Sequence, residues 1–270
     1  MLVCFALLLI IQKSAAQEEM PFQNGEELAY DIHFKYGLIA MKNGSATYRL
    51  TTTTYHQKPA LKSLLYFRTS SFFDKVFKIR DTLAAYATIP HLKPLYHTRS
   101  VNEGSYSFRE EIIYNKHQDS FTEVNIKRIK DERITIDTLV RIQNAGYDML
   151  NIFLLARSFD YSRMKLNDSY NVSVFLGKSK LNIVIRYEGQ AIIEKSQTLK
   201  YKTLLLSIDI ADEVFIETTK AMLIWISDDE NHVPLKLRAS LKIGAAEAVL
   251  TSYKNLKYPL TSEIRIAPNP

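Results

Sequence analysis

One stretch near the end of the chain constrains the fold more than any other, because apolar and polar side chains alternate strictly along Val233–Ile243. Successive side chains of a β-strand point to opposite faces of the sheet, so this pattern predicts a strand with one dry face and one wet face. A slip of one residue would invert the faces, and the register is therefore strongly specified. Pro234 cannot donate to a ladder and is expected at a strand start or sheet edge. The apolar positions are Val233, Leu235, Leu237, Ala239, Leu241 and Ile243.

The same period of two recurs along most of the chain. It is clear in Leu28–Tyr36, Tyr106–Tyr114 and Leu181–Tyr187, and each segment is predicted to be a strand. Lys42–Gly44 contains an Asn-Gly pair, which favours a hairpin turn and predicts that the first strand reverses there. The chain has 16 tyrosines and 13 phenylalanines but only 8 glycines, a composition that suits pleated, half-buried surfaces.

The predicted strands run to about ten residues, longer than is usual in globular proteins. Long antiparallel strands twist and curl rather than lie flat. We therefore predict a mainly β fold, a strongly curved antiparallel sheet or partly open barrel with one or two short helices.

Two segments depart from the alternation and predict these helices. Apolar residues recur at three- and four-residue spacing in Ser70–Asp81, which indicates a short amphipathic helix or a helical turn. Tyr147–Ser162 predicts the longer helix, with Asp148 as its N-cap and Arg157 near its end, where a cation suits the helix dipole. Residues 17–270 are predicted to form a single β-rich domain, with division into two sheet-forming halves near residues 147–162 as the alternative.

The N-terminus predicts export. Residues 2–11 form an uninterrupted apolar run, and Ser14 and Ala16 are small residues at the positions that signal peptidase reads. Residues 1–16 are therefore predicted to be a signal peptide, which places the mature protein in the periplasm or outside the cell. The run is too short to span a bilayer as a stable helix, and no membrane span is expected in the mature chain. The single cysteine, Cys4, would leave with the signal, which excludes disulfide and thiolate chemistry afterwards.

The charge pattern argues against a nucleic-acid partner. The formal net charge is +6, but the basic residues are spread along the chain, and the densest group, Lys127–Arg133, is interrupted by acids. A nucleic-acid-binding surface would gather its basic residues on one face with aromatic residues between them. A solvated strand face or hairpin tip is the favoured interpretation of this group.

The most conspicuous polar cluster lies in Ile224–Leu235, which reads IWISDDENHVPL. Acidic and amide oxygens suit Ca²⁺ or Mg²⁺, yet the alternating acids and central glycine of a calcium loop are missing. A polar turn between two strands is favoured, because Asp and Asn side chains bond nearby backbone N–H groups. A metal or ligand site is the alternative, and the candidate ligand-binding residues are Trp225, Asp228, Asp229, Glu230 and His232.

No stronger chemical motif accompanies this cluster. None of the six histidines falls in an HxH or HExxH pattern, and no GxSxG motif or P-loop is present. The sequence therefore predicts no catalytic residue, no metal site and no cofactor.

The aromatic side chains leave two interpretations open. Several of them, including Tyr30, Tyr48 and Phe108, lie on strand faces that the alternation places inward. They predict either a tightly filled core or a cavity within a curved sheet that takes a lipid or other hydrophobic small molecule.

Four segments of the chain resemble a known family, and together they span most of its length: Phe22–Tyr48, Lys75–Arg99, Tyr147–Ser162 and Trp225–Leu250. They are similar to the exported bacterial proteins of domain-of-unknown-function family 3108. The sharpest element is Trp225–Asp229 with the Pro234-Leu235 pair and Gly244 after it. The resemblance implies a secreted or periplasmic, β-rich single domain from a Bacteroidetes-type bacterium, and it supplies no catalytic or binding residues.

The leading expectation is therefore an exported, non-enzymatic protein of the cell envelope. It would bind a hydrophobic or lipid-like ligand, or support envelope assembly through an envelope protein partner. One alternative is a hydrolase of envelope glycan or lipid that uses the acids at 228–230. Another is a structural or adhesive module.

Overall fold

The computed structural model describes residues 20–36, 39–116, 121–142, 146–176, 179–210, 218–242 and 244–266. Within them one α-helix, α1, runs over Met149–Arg157, and short 3₁₀ turns occupy Phe73–Lys75 and Tyr161–Arg163. The strands are β1 (Glu26–Tyr36), β2 (Ile39–Tyr55), β3 (Lys58–Thr69), β4 (Arg80–Thr88), β5 (Pro94–Glu103), β6 (Tyr106–Lys116), β7 (Thr122–Lys130), β8 (Arg133–Ile142), β9 (Gly146–Tyr147), β10 (Ser169–Leu176), β11 (Ser179–Ser196), β12 (Leu199–Ile210), β13 (Met222–Ser227), β14 (Pro234–Ser240), β15 (Ala245–Lys254) and β16 (Glu263–Arg265).

All sixteen of these strands belong to one sheet. Its path runs from β8 back to β1, crosses to β15, and continues back to β9, while β16 pairs with β12 outside this path. Neighbouring strands are antiparallel except for β9, which is parallel to β10. The sheet curls until it nearly closes into a barrel with one seam, which confirms the predicted fold class.

The seam lies between β8 and β9, the two ends of this path, and it is filled by side chains rather than by ladder hydrogen bonds. Ile142 at the end of β8 and Phe175 on β10 belong to the same buried cluster. Gly146 lies between them, and a Cβ atom there would sit 2.5 Å from the Phe175 ring and 2.8 Å from Ile142. Only glycine therefore lets the two ends of the sheet approach this closely.

The predicted alternation is confirmed on β6 and only partly visible on β14. β14 covers Pro234–Ser240, which is shorter than the alternating run Val233–Ile243, and Pro234 begins it as expected. Leu235 is buried and Arg238 is exposed, but Pro234 is buried too and Leu237 is only half-buried. On β6, Glu110, Ile112 and Tyr114 are all buried on the inner face.

The turn predicted at Lys42–Gly44 is wrong, because β2 continues through it. The register pairs Tyr36 with Ile39, so the chain reverses between those residues, and Lys42–Gly44 forms an irregularity opposite Ile32 and His33. A Cβ atom on Gly44 would lie 2.5 Å from the backbone oxygen of Arg68. The glycine therefore serves a close approach of β2 to β3 instead of a turn.

Helix α1 confirms the main helix prediction and lies in the lumen of the sheet. Asp148 caps it by accepting hydrogen bonds from the backbone N–H groups of Leu150 and Asn151, at 2.9 and 3.0 Å. Leu154 is fully buried in a cluster with residues of β1, β2, β14 and β15, whereas Ala156 packs with residues of β10–β13. The helix thus contacts inward-facing side chains from both sides of the barrel.

The segment Ser70–Asp81 was predicted to form either a short amphipathic helix or a helical turn, and the structure shows a helical turn. Its apolar side chains do not form a buried stripe. Only Phe73–Lys75 is helical, and none of these three residues is buried.

The predicted signal peptide, residues 1–16, lies outside the described residues. Among those the structure does describe, no helix is both long and apolar enough to cross a bilayer.

Candidate functional site

The acidic segment that the sequence singled out is a tight turn between β13 and β14. The backbone N–H of Ser227 donates to the carbonyl of Val233 at 2.8 Å and closes the turn. Inside it, the Asp229 carboxylate accepts hydrogen bonds from the Ser227 hydroxyl at 2.8 Å and from the Asn231 N–H at 3.1 Å. The Ser227 hydroxyl in turn accepts from the Val233 N–H at 2.8 Å. Asp229 therefore shapes the turn, as Asp side chains commonly do.

The three acids of the turn have different surroundings. The second oxygen of Asp229 accepts from the Ser262 N–H at 3.2 Å, so both of its oxygens are bonded within the protein. Asp228 accepts from the Gln190 side chain on β11 at 2.9 Å. Glu230 is exposed. Asp228 and Glu230 are consequently the acids of the turn that remain able to meet a ligand.

Asn231 ties the turn to two distant parts of the chain. Its buried side chain donates to the carbonyls of Tyr258 and Pro259, at 3.0 and 3.2 Å, and accepts from the Tyr258 N–H at 2.9 Å. Its own carbonyl accepts from the guanidinium of Arg157 at 3.0 Å. The turn is thereby fixed to the C-terminal segment and to the end of α1.

Arg157 forms a fully buried ion pair with Glu26, the first residue of β1. The guanidinium donates to both carboxylate oxygens of Glu26, at 2.5 and 3.0 Å, and both side chains have no exposed surface. Burial acts to lower the pKa of Arg157, but the carboxylate of Glu26 outweighs it and the pKa is raised. The ring of Phe22 lies beneath the guanidinium, 5.2 Å from its centroid. Sequence reasoning missed Glu26, because its partner lies 131 residues away and no local pattern links them.

His232 lies against the last residue of α1. Its Nδ1 atom is 2.8 Å from the carbonyl oxygen of Arg157. Because a carbonyl only accepts, Nδ1 carries the hydrogen, and in the neutral ring Nε2 then presents a lone pair. Burial is the largest influence and lowers the pKa of His232, although the hydrogen bond to the carbonyl opposes it. The ring meets Tyr161 edge-on at 4.9 Å.

Trp225 does not join the other candidate residues. It lies on β13 between the buried residues Ile224 and Ile226, so its side chain points to the outer face of the sheet. There the Lys236 ammonium sits 5.2 Å from the ring centroid, a cation–π contact between neighbouring strands. Trp225 is accordingly not among the residues that line the cleft formed by the other four candidates.

A cleft of about 720 Å³ opens where the turn meets the end of α1. We call it the mouth cleft. It brings together four of the five predicted site residues and adds aromatic residues that the sequence did not single out. Its polar and aromatic lining comprises Asp228, Asp229, Glu230 and His232 of the turn, together with Arg157, Ser158, Phe159, Asp160, Tyr161, Ser162, Tyr187, Gln190 and Tyr258.

The electrostatics of the mouth cleft are negative. Asp160, Asp228, Asp229 and Glu230 line it, whereas the one cation among its lining residues, Arg157, is already paired with Glu26. Burial, followed by the nearby Asp228 carboxylate, raises the pKa of Tyr187. A tyrosine in these surroundings keeps its hydroxyl hydrogen at neutral pH and can donate a hydrogen bond.

The polar groups of the cleft differ in the chemistry that they can support. Among the described residues no group of three or more His, Cys, Asp or Glu side chains could hold a metal ion. Asp229 is committed to the turn, and a carboxylate bonded on both oxygens by N–H and O–H donors is a poor general base. What the cleft offers is a set of aromatic faces beside carboxylates that accept hydrogen bonds.

Comparison with known proteins agrees with the fold and adds no assigned site. The model of family DUF3108, described as a protein of unknown function, matches residues 29–251. No curated protein matches the chain. A crystal structure of a β-barrel-like protein of domain of unknown function DUF1849 from Brucella abortus superposes with a TM-score of 0.57 at 8% identity, covering 87% of this chain and 99% of that one. At that identity the likeness is one of fold alone.

Proposed function

The chain belongs to the family DUF3108, proteins of unknown function, and from that premise we propose that it is an exported, non-enzymatic protein of the cell envelope that binds an amphipathic ligand in the mouth cleft. The observation that carries the proposal is the lining of the cleft, which combines aromatic rings and carboxylates at one end of the barrel. The apolar run at residues 2–11 and the small residues Ser14 and Ala16 support export.

The interior of the barrel is a poor place for a hydrophobic ligand. Helix α1 occupies it, and Leu150 and Leu154 are buried there against side chains of the sheet. A lipid chain would have to displace this helix, together with the ion pair between Arg157 and Glu26. The mouth cleft requires no such displacement, and its volume falls in the range of small-molecule sites, roughly 300–1,000 Å³.

The chemistry of the cleft defines the ligand. Phe159 and Tyr187 line the cleft but are largely buried, and the Phe159 ring stacks on Tyr170 at 4.3 Å. An acyl chain or the flat face of a sugar ring can pack against the part of these rings that remains exposed. Asp228 and Glu230 offer acceptors and negative charge, which favour hydroxyl or ammonium groups and repel phosphate and sulfate. Asp160 adds a third carboxylate, whose charge is partly offset by the exposed guanidinium of Arg163 at 3.9 Å. The ligand is therefore an amphipathic molecule with a hydroxylated or cationic head.

Three probes with one alkyl chain and different heads test this. Octyl glucoside, octyltrimethylammonium and octyl sulfate, each below its micelle concentration, are titrated into the full chain by calorimetry. The glucoside and the ammonium probe should bind with one site per protein, and octyl sulfate should not. Equal binding of all three probes would contradict the proposal.

Isosteric variants locate the site. Asp160→Asn/Asp228→Asn/Glu230→Gln removes the negative charge at nearly constant shape and should weaken the ammonium probe about tenfold, or about 1.4 kcal/mol. The matched control is the exposed set Asp131→Asn/Glu132→Gln/Asp137→Asn on and beside the β7–β8 turn, which changes the net charge equally. An equal loss in the control would show a general charge effect and no site at the mouth.

Export has a separate test. N-terminal sequencing of protein recovered from the envelope fraction of its own host should find a chain that begins at Gln17. Recovery of the uncleaved chain from the cytoplasm would contradict export while leaving the ligand titrations meaningful.

A further inference from the structure

Three large apolar side chains are exposed on the turn between β3 and β4. Phe72 is 69% exposed, Val76 79% and Phe77 49%. With Lys75 and Lys78 they form a continuous surface that we call the aromatic turn. Apolar residues exposed one at a time are ordinary, but a group of them in a single turn marks a surface that another body covers.

The aromatic turn is held in place, which distinguishes it from a loose loop. Asp74 at its centre accepts from the Thr69 hydroxyl at 2.6 Å and from two guanidinium nitrogens of Arg80, at 3.0 and 2.5 Å. The Thr69 hydroxyl also accepts from the Ile79 N–H at 3.0 Å. Arg80 is the main cause that holds the pKa of Asp74 below its usual value. The apolar side chains are therefore presented from a fixed backbone, which reduces the entropy lost on docking.

The charge of this surface is positive. Lys75 and Lys78 are both exposed, and neither forms an ion pair within the part of the chain that the structure describes. The one acid in the turn, Asp74, is already neutralised by Arg80. The acids nearest to the turn are Glu103, which pairs with Ile79 beside Lys78, and Asp81 at the start of β4; both are partly buried and interact with each other. Lys75 and Lys78 are therefore the charges that the turn itself exposes, and Asp131 and Glu132 are exposed farther along the same end of the barrel.

The aromatic turn and the mouth cleft lie at opposite ends of the barrel. Neighbouring strands from β1 to β8, and from β15 to β10, are antiparallel, so successive connections alternate between the two ends. The β3–β4 connection falls at the end where β1 finishes, whereas the β13–β14 turn falls at the end where β1 begins. A body that covers the aromatic turn would leave the mouth cleft open.

We propose that the aromatic turn docks the protein on the surface of an anionic lipid bilayer. Phenylalanine and valine side chains can enter the boundary between headgroups and acyl chains, and adjacent lysines are attracted to anionic headgroups. The positive charge of the aromatic turn favours an anionic bilayer. The turn is also small enough to insert between lipids. The docked protein would point its mouth cleft away from the membrane. This inference is independent of the proposed ligand, because none of the residues is shared.

Vesicle co-sedimentation of the full chain tests the proposal. The vesicles are phosphatidylglycerol mixed with phosphatidylcholine, compared with phosphatidylcholine alone at the same low salt. Phe72→Ser/Val76→Ser/Phe77→Ser removes the apolar tip, and Lys75→Gln/Lys78→Gln removes its charge. Leu166→Ser/Ile192→Ser, which changes two exposed apolar residues elsewhere, is the matched control. All variants keep the same N-terminal segment, so differences between them report the turn.

The expected result is binding to the anionic vesicles that falls at least about tenfold in the serine variant and about tenfold in the glutamine variant, with no change in the control. Circular dichroism should show that all variants stay folded, because the substituted side chains are exposed. The proposal is overturned if the serine variant binds like the unmodified protein, or if vesicle charge and the lysines have no effect. It is also overturned if the protein ignores vesicles but self-associates in solution through the turn, which would identify a second copy as its partner.

Discussion

Helix α1 carries buried polar groups at both of its ends, and the two ends differ in how these groups are satisfied. At the C-terminal end the guanidinium of Arg157 donates to both oxygens of Glu26 and to the carbonyl of Asn231. Within the described residues, only the Nε of this guanidinium lacks a hydrogen-bond partner. The charge of Arg157 is therefore paired with that of Glu26, and most of the N–H donors of the guanidinium are used.

At the N-terminal end the helix cap is satisfied but its neighbours are not. Asp148 accepts from two backbone N–H groups and from the side chain of Asn151. Around it, both ring nitrogens of His97, the hydroxyl of Tyr114 and the side-chain oxygen of Asn151 are buried without a partner in the part of the chain that the structure describes. The charge of Asp148 influences the pKa of both His97 and Tyr114, which places the three groups in one region.

The difference indicates what each end contributes. A buried charge that is paired fixes one arrangement, and here it positions the turn that lines the mouth cleft. A buried polar group without a partner costs stability, by about 1–3 kcal/mol each. The N-terminal end therefore keeps unused hydrogen-bonding capacity in the lumen, and substitutions at the two ends should behave differently.

The largest effect is expected at the paired end. Arg157→Met leaves the carboxylate of Glu26 buried without a counter-charge, and should lower the free energy of unfolding by about 3–5 kcal/mol. Urea denaturation followed by circular dichroism measures it. The double variant Glu26→Gln/Arg157→Met removes both charges and should recover a large part of the loss. If the double variant is no more stable than Arg157→Met alone, removing the second charge recovers nothing and this view of the paired end is wrong.

The helix cap comes next in magnitude. Asp148→Ala removes the acceptor for the Leu150 and Asn151 N–H groups and should cost about 1–2 kcal/mol. Asp148→Asn keeps an oxygen for the cap and should lose less. The same urea measurement checks both variants, and an equal loss in the two would mean that the negative charge, rather than the cap, is what α1 requires.

The contrast between the ends also explains how much of the fold could be predicted. The strand β14 and the cap at Asp148 were predicted correctly because their signals are local, namely side-chain alternation and an acid before a helical stripe. The ion pair of Glu26 with Arg157 was not, since it joins residues 131 positions apart. The sequence shows Arg157 only as a cation near a helix end.

Packing overrode one local signal and completed another. Gly44 follows Asn43 as in a hairpin turn, yet the close approach of β3 keeps it within a strand. The turn at Asp228–His232 was recognised as a turn, but the aromatic half of the mouth cleft comes from Phe159, Tyr161 and Tyr187 on other elements. The resemblance to a family identifies the turn as a signature, whereas the structure shows that Asp229 and Asn231 in it hold the chain together.

A smaller effect is expected from pH at the unpaired end. Burial is the largest influence and lowers the pKa of His97; Arg99 acts in the same direction, while Asp148 and Glu110 oppose it. Below pH 6.5, the ordinary pKa of histidine, His97 binds a proton in the unfolded chain but binds it less readily in the folded protein. The free energy of unfolding should therefore fall as the pH drops. The slope from this one group is at most about 1.4 kcal/mol per pH unit.

The variant His97→Gln isolates that contribution. Urea midpoints measured between pH 7 and pH 5 should fall less steeply in the variant than in the unmodified protein. Asp148 contributes with the opposite sign, because its raised pKa means that the folded state holds its proton more tightly. An unchanged slope in His97→Gln would show that this ring is not buried neutral, and would remove it from the comparison.

The smallest effect is expected from removing single tyrosine hydroxyls, and it compares a buried hydroxyl that has a hydrogen-bond partner with one that has none. Tyr48 and Tyr114 are both buried, but the Tyr48 hydroxyl lies 2.9 Å from the Ser63 hydroxyl, whereas the Tyr114 hydroxyl has no partner in the described residues. Tyr48→Phe should therefore cost about 1 kcal/mol, and Tyr114→Phe should cost nothing or stabilise the protein. Thermal and urea unfolding of the two variants checks this. A loss in Tyr114→Phe equal to that in Tyr48→Phe would mean that a buried water or small polar molecule bonds this hydroxyl, so that the N-terminal end of α1 lines an occupied site rather than an unsatisfied one.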